Sequence, residues 1–180
     1  EGGLLDSSDL TNFEIEIEDT VTGSFGEYEV YACGPWSQGP VLIETLQILR
    51  PDDFRSLAHN SAEYIHLVTE ALKLAFADRD AFVSDPKFVD VPITALGSLE
   101  YAESRRSQID PDRATPEMPR YGDPWKFENR SQPDSWNYQH PAALPVAAEL
   151  DTSYACAVDR WGNAFSATPS DGIDGAPIVP

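Results

Sequence analysis

The chain has 180 residues, the scale of one domain or part of one, and its 41% hydrophobic and 24% charged residues are those of a globular protein. Twelve Lys and Arg against 31 Asp and Glu leave a formal charge of −19. Such acidity repels phosphate backbones and anionic lipid, so no nucleic-acid or membrane-surface role is expected. No apolar run approaches the ~18 residues of a membrane span, so no membrane insertion is expected either.

The chain opens on Glu1-Gly2-Gly3-Leu4-Leu5 without an initiator Met, its single Met being Met118, and reads as an excerpt of a longer protein. Residues 4–18 are acidic and read as a connecting segment with a helical turn around residues 8–13. Tyr28–Ala32, rich in Tyr and Val, is a strand candidate, and residues 33–40 form a Gly/Pro loop. Residues 41–49 predict a helix with Leu42, Thr45, Leu46 and Leu49 on one face, stopped by Pro51. Asn60, with Glu63 three residues later, resembles a helix cap. It would open a longer helix striped by Ile65, Val68, Leu72, Ala75 and Phe76. A third helix starts after Ser98 and runs to about Ile109, where Asp110-Pro111 ends it.

Residues 111–150 hold seven of the fifteen prolines and show no sustained periodicity. A loop of ~40 residues in a compact domain is usually functional or mobile. Residues 152–159 then alternate loosely, Arg160-Trp161-Gly162-Asn163 is a turn, and residues 164–168 are extended, which makes a hairpin. Helices followed by strands that lack a sheet suggest part of an α+β fold.

Few side chains stand out chemically. Cys33 and Cys156 have no metal-ligand spacing and are expected to be buried thiols. His59, His66 and His140 occupy unrelated contexts and read as solvated or structural. Asp78, Asp80 and Asp85 lack the alternating ligands of a calcium loop and read as a charged helix end with local ion pairs; no metal is expected. A carboxylate-dependent hydrolase using Asp78 or Asp80 would rest on acidity alone. Thr152 differs through its context, because a long Pro-rich segment ends at Asp151 and a regular strand begins at Thr152. Cleavage between them would give Thr152 a free α-amine that can act as base for its own hydroxyl. Such an amine titrates near ~8, so a useful fraction is neutral at physiological pH.

The segment DTSYACAVDRWGNAFSAT resembles the start of the small subunit in the gamma-glutamyltranspeptidase family of N-terminal-nucleophile hydrolases. Thr152, Asp159, Gly162, Asn163 and Ala164 keep that family's spacing of Thr, Asp and Gly-Asn-Ala. GGLLDSSDLTNF, the block ending QILR, EYIHLVTEALKLAFADRDAFVSDPKFVDVP and SLEYAESRRSQID resemble the C-terminal half of its large subunit, in the same order. The resemblance implies part of a four-layer αββα sandwich. Residues 1–151 would be large-subunit region, with 111–151 leading to the processing site, and residues 152–180 would start the small subunit. It further implies a precursor that cleaves itself at Asp151–Thr152, with Thr152 as nucleophile of an acyl-enzyme and Ser170 hydrogen-bonded to it. No metal or organic cofactor is implied. The implied partners are a small-molecule amide or gamma-glutamyl substrate and the remainder of the precursor chain. The family's carboxylate-binding Arg would lie before Glu1 and its Gly-Gly oxyanion hole after Pro180, so these residues alone are not expected to turn over substrate.

The sequence departs from the pattern at Ser153 and Tyr154, at the bulky Trp36 of the Gly34-to-Gly39 loop, and at Gly172. Gly172 stands where an Asn would contact the glutamyl group. An acylase or small-amide hydrolase, and an inactive member serving as a binding or structural module, therefore remain alternatives.

Overall fold

The computed structural model describes residues 6–52, 54–134, 136, 138, 151–168 and 170–171, with 151–152 and 170–171 described by backbone alone. The chain divides into two compact units, one of residues 16–140 and one of residues 1–15 with 141–180. Helices and three two-stranded antiparallel pairs make up a partial α+β fold.

In the larger unit, β1 (Val21–Phe25) and β2 (Tyr28–Ala32) pair from Val21↔Ala32 to Phe25↔Tyr28. Helix α2 (Gly39–Leu49) packs on this hairpin and on helices α3 (Ala62–Phe82) and α5 (Leu99–Arg106) at once. Because three neighbours surround α2, it buries Val41, Ile43, Glu44, Thr45, Gln47, Ile48 and Leu49 rather than one stripe. Leu42, expected on the inner face, is 49% exposed.

Helix α3 is capped by Ser61, whose hydroxyl accepts from the Tyr64 N–H at 3.2 Å. The expected cap, Asn60, instead takes φ 57°, a left-handed turn that Asn tolerates. The buried side of α3 also differs from the predicted stripe. It carries Glu70, Ala71, Leu74, Ala75, Ala77, Asp78, Ala81 and Phe82, whereas Ile65 and Leu72 are 52% and 39% exposed. Of the expected stripe, Ala75 is buried and Val68 packs, partly buried, against an apolar cluster, because alanines let neighbouring helices approach closely. Helix α4 (Ile93–Leu96) leads to α5, which is capped by Ser98 as expected but ends at Arg106, before the Ile109 end that Asp110-Pro111 suggested. His66 Nε2 lies 2.8 Å from the Asp110 carbonyl, a structural contact as expected.

Ala81, Phe82, Val91, Leu96, Tyr101 and Trp125 form one apolar cluster, and Ile48, Leu49, Ala71, Leu74 and Ala102 form a second. A buried carboxylate joins the elements around them. Asp78 is fully buried and accepts from Tyr101 Oη (2.8 Å) and from the Gly122 N–H (2.7 Å), and its Oδ2 lies 2.8 Å from Arg105 Nε. Gly122 can come this close because it has no side chain; a Cβ there would meet Tyr101 Oη at 2.2 Å. Glu44 of α2 is buried, with the Asp78 charge close to it. Burial first, and the Asp78 charge second, push the Glu44 carboxyl well above the usual carboxylate range, against a smaller pull from Arg105.

A raised folded-state pKa ties stability to pH with a definite sign. The stabilisation from protonated Glu44 is complete below the unfolded value of ~4.3 and is lost as pH rises through the folded value. Glu44→Gln keeps the shape and a donor without the charge. Its unfolding free energy relative to the parent should therefore climb with pH above ~4.3 and then level off. Denaturant unfolding of the full-length pair from pH 4 to 9 checks this; a gap that shrinks as pH rises would refute it.

Residues 111–138 are not the free loop their composition suggested. Their backbone is laced to the helices by side chains. Thr115 meets Glu70 and Lys73 at 3.2 and 2.6 Å, and the Arg120 carbonyl accepts from Arg105 at 3.0 Å. A 3-10 helix, Pro124–Glu128, buries Trp125 to 1% exposure. Glu128 accepts from the Ala95 N–H at 3.0 Å, and Arg130 pairs with Asp90 at 2.7 Å. Residues 139–150, also read as loop, lie outside the described residues.

The smaller unit contains α1 (Ser7–Asn12), the predicted helical turn. It is closed by a capping box in which the Asp6 carboxylate accepts from the Ser8 and Asp9 N–H groups. The unit's strands are β3 (Asp151–Thr152), β4 (Ala155–Val158), β5 (Ala164–Ala167) and β6 (Ser170–Asp171). Cys156 in β4 and Cys33 after β2 are both exposed, contrary to the expectation of buried thiols. Cys156 lies in a strand whose four residues are all exposed, and Cys33 follows β2 at the start of the Gly/Pro loop. Among the described residues no helix is long and apolar enough to cross a membrane.

Candidate active site

The hairpin turn decides what faces Thr152. Strands β4 and β5 pair from Ala155↔Ala167 to Val158↔Ala164, and between them the chain reverses through Arg160, Trp161, Gly162 and Asn163. The Asp159 carboxylate holds this reversal. Its Oδ1 accepts from the N–H groups of Trp161 and Asn163, both at 2.9 Å, and its Oδ2 accepts from Asn163 Nδ2 at 2.8 Å. The hydrogen bond from the Asn163 side chain, more than the backbone donors, keeps the Asp159 carboxyl below its ordinary range. Gly162 has φ 86°, a conformation that any side chain would strain.

Beyond β4 and β5 the pairing resumes in the same register. Stepping three residues outward along each strand from Ala155↔Ala167 leads to Thr152↔Ser170, followed by Asp151↔Asp171. Thr152 and Ser170, eighteen positions apart in sequence, thus stand directly opposite each other across an antiparallel ladder. Positions so paired are ~4.5–5.5 Å apart at Cβ. A one-residue slip in the turn would turn one of the two to the opposite face. The Asp-x-x-Gly-Asn-Ala spacing noticed in the sequence is therefore a turn that sets register.

Around this ladder, Tyr154 is 65% exposed, and its hydroxyl accepts from Ser166 Oγ at 3.2 Å. Gly172 lies outside the described residues. In the larger unit, Trp36 is half exposed and its indole N–H donates to the Glu18 carboxylate. Ser37 Oγ bonds the Gly34 carbonyl at 3.0 Å, closing the Gly34-to-Gly39 loop on itself.

The carboxylates behave differently from one another. Asp80 pairs with Arg79 at 2.6 Å, the local ion pair expected there. Asp78 has turned inward and is wholly engaged, so it has no face on which to meet a substrate. Sequence reasoning missed the set of Glu44, Asp78, Tyr101 and Arg105. Its one signal was Glu44 standing inside the apolar run VLIETLQIL. Among the described residues no group of three His, Cys, Asp or Glu side chains could hold a metal ion.

Comparison with known proteins gives the chain's family. The family description Gamma-glutamyltranspeptidase matches residues 1–176. The chain is 36% identical over 177 residues to the Acylase ACY 1 proenzyme of Pseudomonas sp. (strain SE83), covering 97% of this chain and 28% of that protein. It is 34% identical over 170 residues to the Glutathione hydrolase proenzyme of Bacillus subtilis subsp. natto, covering 93% and 28%. The crystal structure of Helicobacter pylori gamma-glutamyltranspeptidase superposes with a TM-score of 0.62 at 32% identity, over 64% of this chain and 33% of that one. The chain thus spans little more than a quarter of the length of the curated relatives it matches.

Proposed function

The chain belongs to the gamma-glutamyltranspeptidase family, and we propose that it carries the processing junction and nucleophile of a self-cleaving amide hydrolase or acyltransferase. The observation behind this reading is the Thr152↔Ser170 pairing. It sets a hydroxyl-bearing residue opposite the Thr whose peptide bond would be cut. The names of two relatives, both proenzymes, support it.

In this reading processing is net hydrolysis of the Asp151–Thr152 amide. The C–N bond breaks, water supplies the second oxygen of the Asp151 carboxylate, and Thr152 keeps a free α-amine. In turnover that amine takes the proton from the Thr152 hydroxyl as its oxygen attacks a substrate amide. The same proton passes to the departing amine, and water or an acceptor amine then cleaves the ester on Thr152. Ser170 orients the hydroxyl. The oxyanion donors and the substrate's carboxylate partner come from the rest of the protein, and the complete fold is the αββα sandwich. The acyl group is gamma-glutamyl or another acyl, a reading supported by relatives named glutathione hydrolase and acylase.

Intact-mass analysis of the full-length gene product tests this directly. The expected result is two fragments whose masses meet at Asp151–Thr152. A single uncut mass after prolonged incubation would move the chain to the non-catalytic alternative.

A further inference from the structure

A cleft of about 460 Å³ runs along the end of α3, lined by side chains from residues 80–90 and from the docked segment around Trp136. That volume is in the range of small-molecule sites, ~300–1,000 Å³. Phe82 lies at its base, buried and stacked on Trp136 with ring centroids 5.6 Å apart and planes 23° apart. The Trp136 indole N–H donates to the Ala81 carbonyl at 3.1 Å, which fixes that ring, and Tyr138 packs beside it at 6.1 Å. Phe88 lines the same cleft yet is 83% exposed, so most of its ring meets water. The charges here are of one sign. Asp80 and Asp90 border the cleft, and no Lys, Arg or His is among the described residues that line it. Arg130 donates to both Asp90 oxygens, at 2.7 and 3.2 Å. Arg79 donates twice to Asp80, both times to Oδ1, at 2.8 and 2.6 Å, and Oδ2 accepts from no described residue. Burial first, and the Asp80 charge second, push the Tyr138 phenol above its ordinary range, so that charge is near the ring.

We propose that this cleft is a binding site for a small organic cation, a primary ammonium carried on an aryl or short apolar body. The body lies among Phe82, Phe88, Trp136 and Tyr138, and the ammonium donates to Asp80 Oδ2 at the rim. Aromatic faces attract an ammonium as well, so ring and carboxylate select the same charge. An anion of the same shape meets two carboxylates and no lining cation, and a neutral molecule forgoes the charge-assisted bond. The surplus is local as well as global. Arg130 also serves Glu128, at 2.6 Å, so Asp80, Asp90 and Glu128 share only Arg79 and Arg130. The site uses neither Thr152 nor Ser170 and goes beyond the processing reading.

The experiment titrates 2-phenylethylamine, 2-phenylethanol and 3-phenylpropionate into the full-length protein by ligand-observed NMR at pH 7, where a primary amine is charged. Hydrogen exchange with and without the amine locates it. The amine should bind about 10-fold or more tighter than the alcohol, and the carboxylate weakest of the three. Asp80→Asn should remove most of the difference between amine and alcohol and leave the alcohol unchanged. Phe88→Ala should weaken amine and alcohol alike, because it takes away wall and not charge. Both residues lie at the surface, so thermal midpoints should stay near the parental value. Exchange should slow over residues 80–90 when the amine is present. Equal affinities for the three probes, no binding by the amine, an amine affinity that survives Asp80→Asn, or protection confined to other residues would overturn the site. Cleavage at Asp151–Thr152 does not enter any of these readouts, so the site and the processing reading stand or fall separately.

Discussion

Thr152→Ala in the full-length protein is expected to leave the precursor uncut and to lower amide turnover at least ~10³-fold, the scale on which loss of a nucleophile is felt. In the proposed reading the substitution removes the attacking oxygen, while the two-residue ladder with Ser170 needs only backbone groups and persists. Folding should therefore be unaffected, and the thermal midpoint distinguishes lost chemistry from lost structure. Thr152→Ser keeps a hydroxyl and should still cut. Intact mass and turnover on all three proteins check the expectation. Turnover by Thr152→Ala near the parental rate would sink the assignment of the nucleophile.

The second large effect is on stability. Asp78→Ala leaves the Arg105 guanidinium, itself 1% exposed, without its carboxylate. It also strips the Tyr101 hydroxyl and the Gly122 N–H of their acceptor. Removing one partner of a buried pair costs about 3–5 kcal/mol. Asp80→Ala is the natural control, because Asp80 faces Arg79 at the surface, where such pairs contribute ~1 kcal/mol or less. Denaturant unfolding of the full-length protein should separate the two variants by several-fold in free energy. Equal losses would mean that Asp78 is not the hub its contacts describe.

Much of the fold could be read from the chain. Strand β2, the C-terminal end of α2, the start of α5 and the hairpin after Thr152 follow from a β-branched and aromatic run, a Pro stop, a capping hydroxyl and a Gly-Asn turn. Those signals are local, and local signals survive whatever packs on them. The inward faces could be read only in part. On α3 the expected stripe holds in part: Ala75 is buried, whereas Ile65 and Leu72 are exposed and Ala71, Ala77 and Ala81 lie inward instead. Ser61 rather than Asn60 became the cap because both are competent and the backbone of the preceding turn chose between them. For the site, Thr152 stands out by its place after the Pro-rich segment, and Ser170 by the family resemblance alone. Their opposition across the ladder is a further fact that depends on the Asp159 turn. The docking of residues 111–138 was hidden because irregular chain has no period to detect. Its Tyr, Trp and Phe residues, set among prolines, were the only sign that the segment had a surface to rest on.

Glu44 gives the molecule a property that shows in heat rather than in shape. Between the ordinary carboxylate pKa and its own elevated one, the folded chain holds a proton that the unfolded chain lets go. Melting in that range therefore titrates the buffer. The calorimetric enthalpy then includes the ionisation heat of whatever base takes up the proton, and it differs between a phosphate and an amine buffer at one pH and one melting temperature.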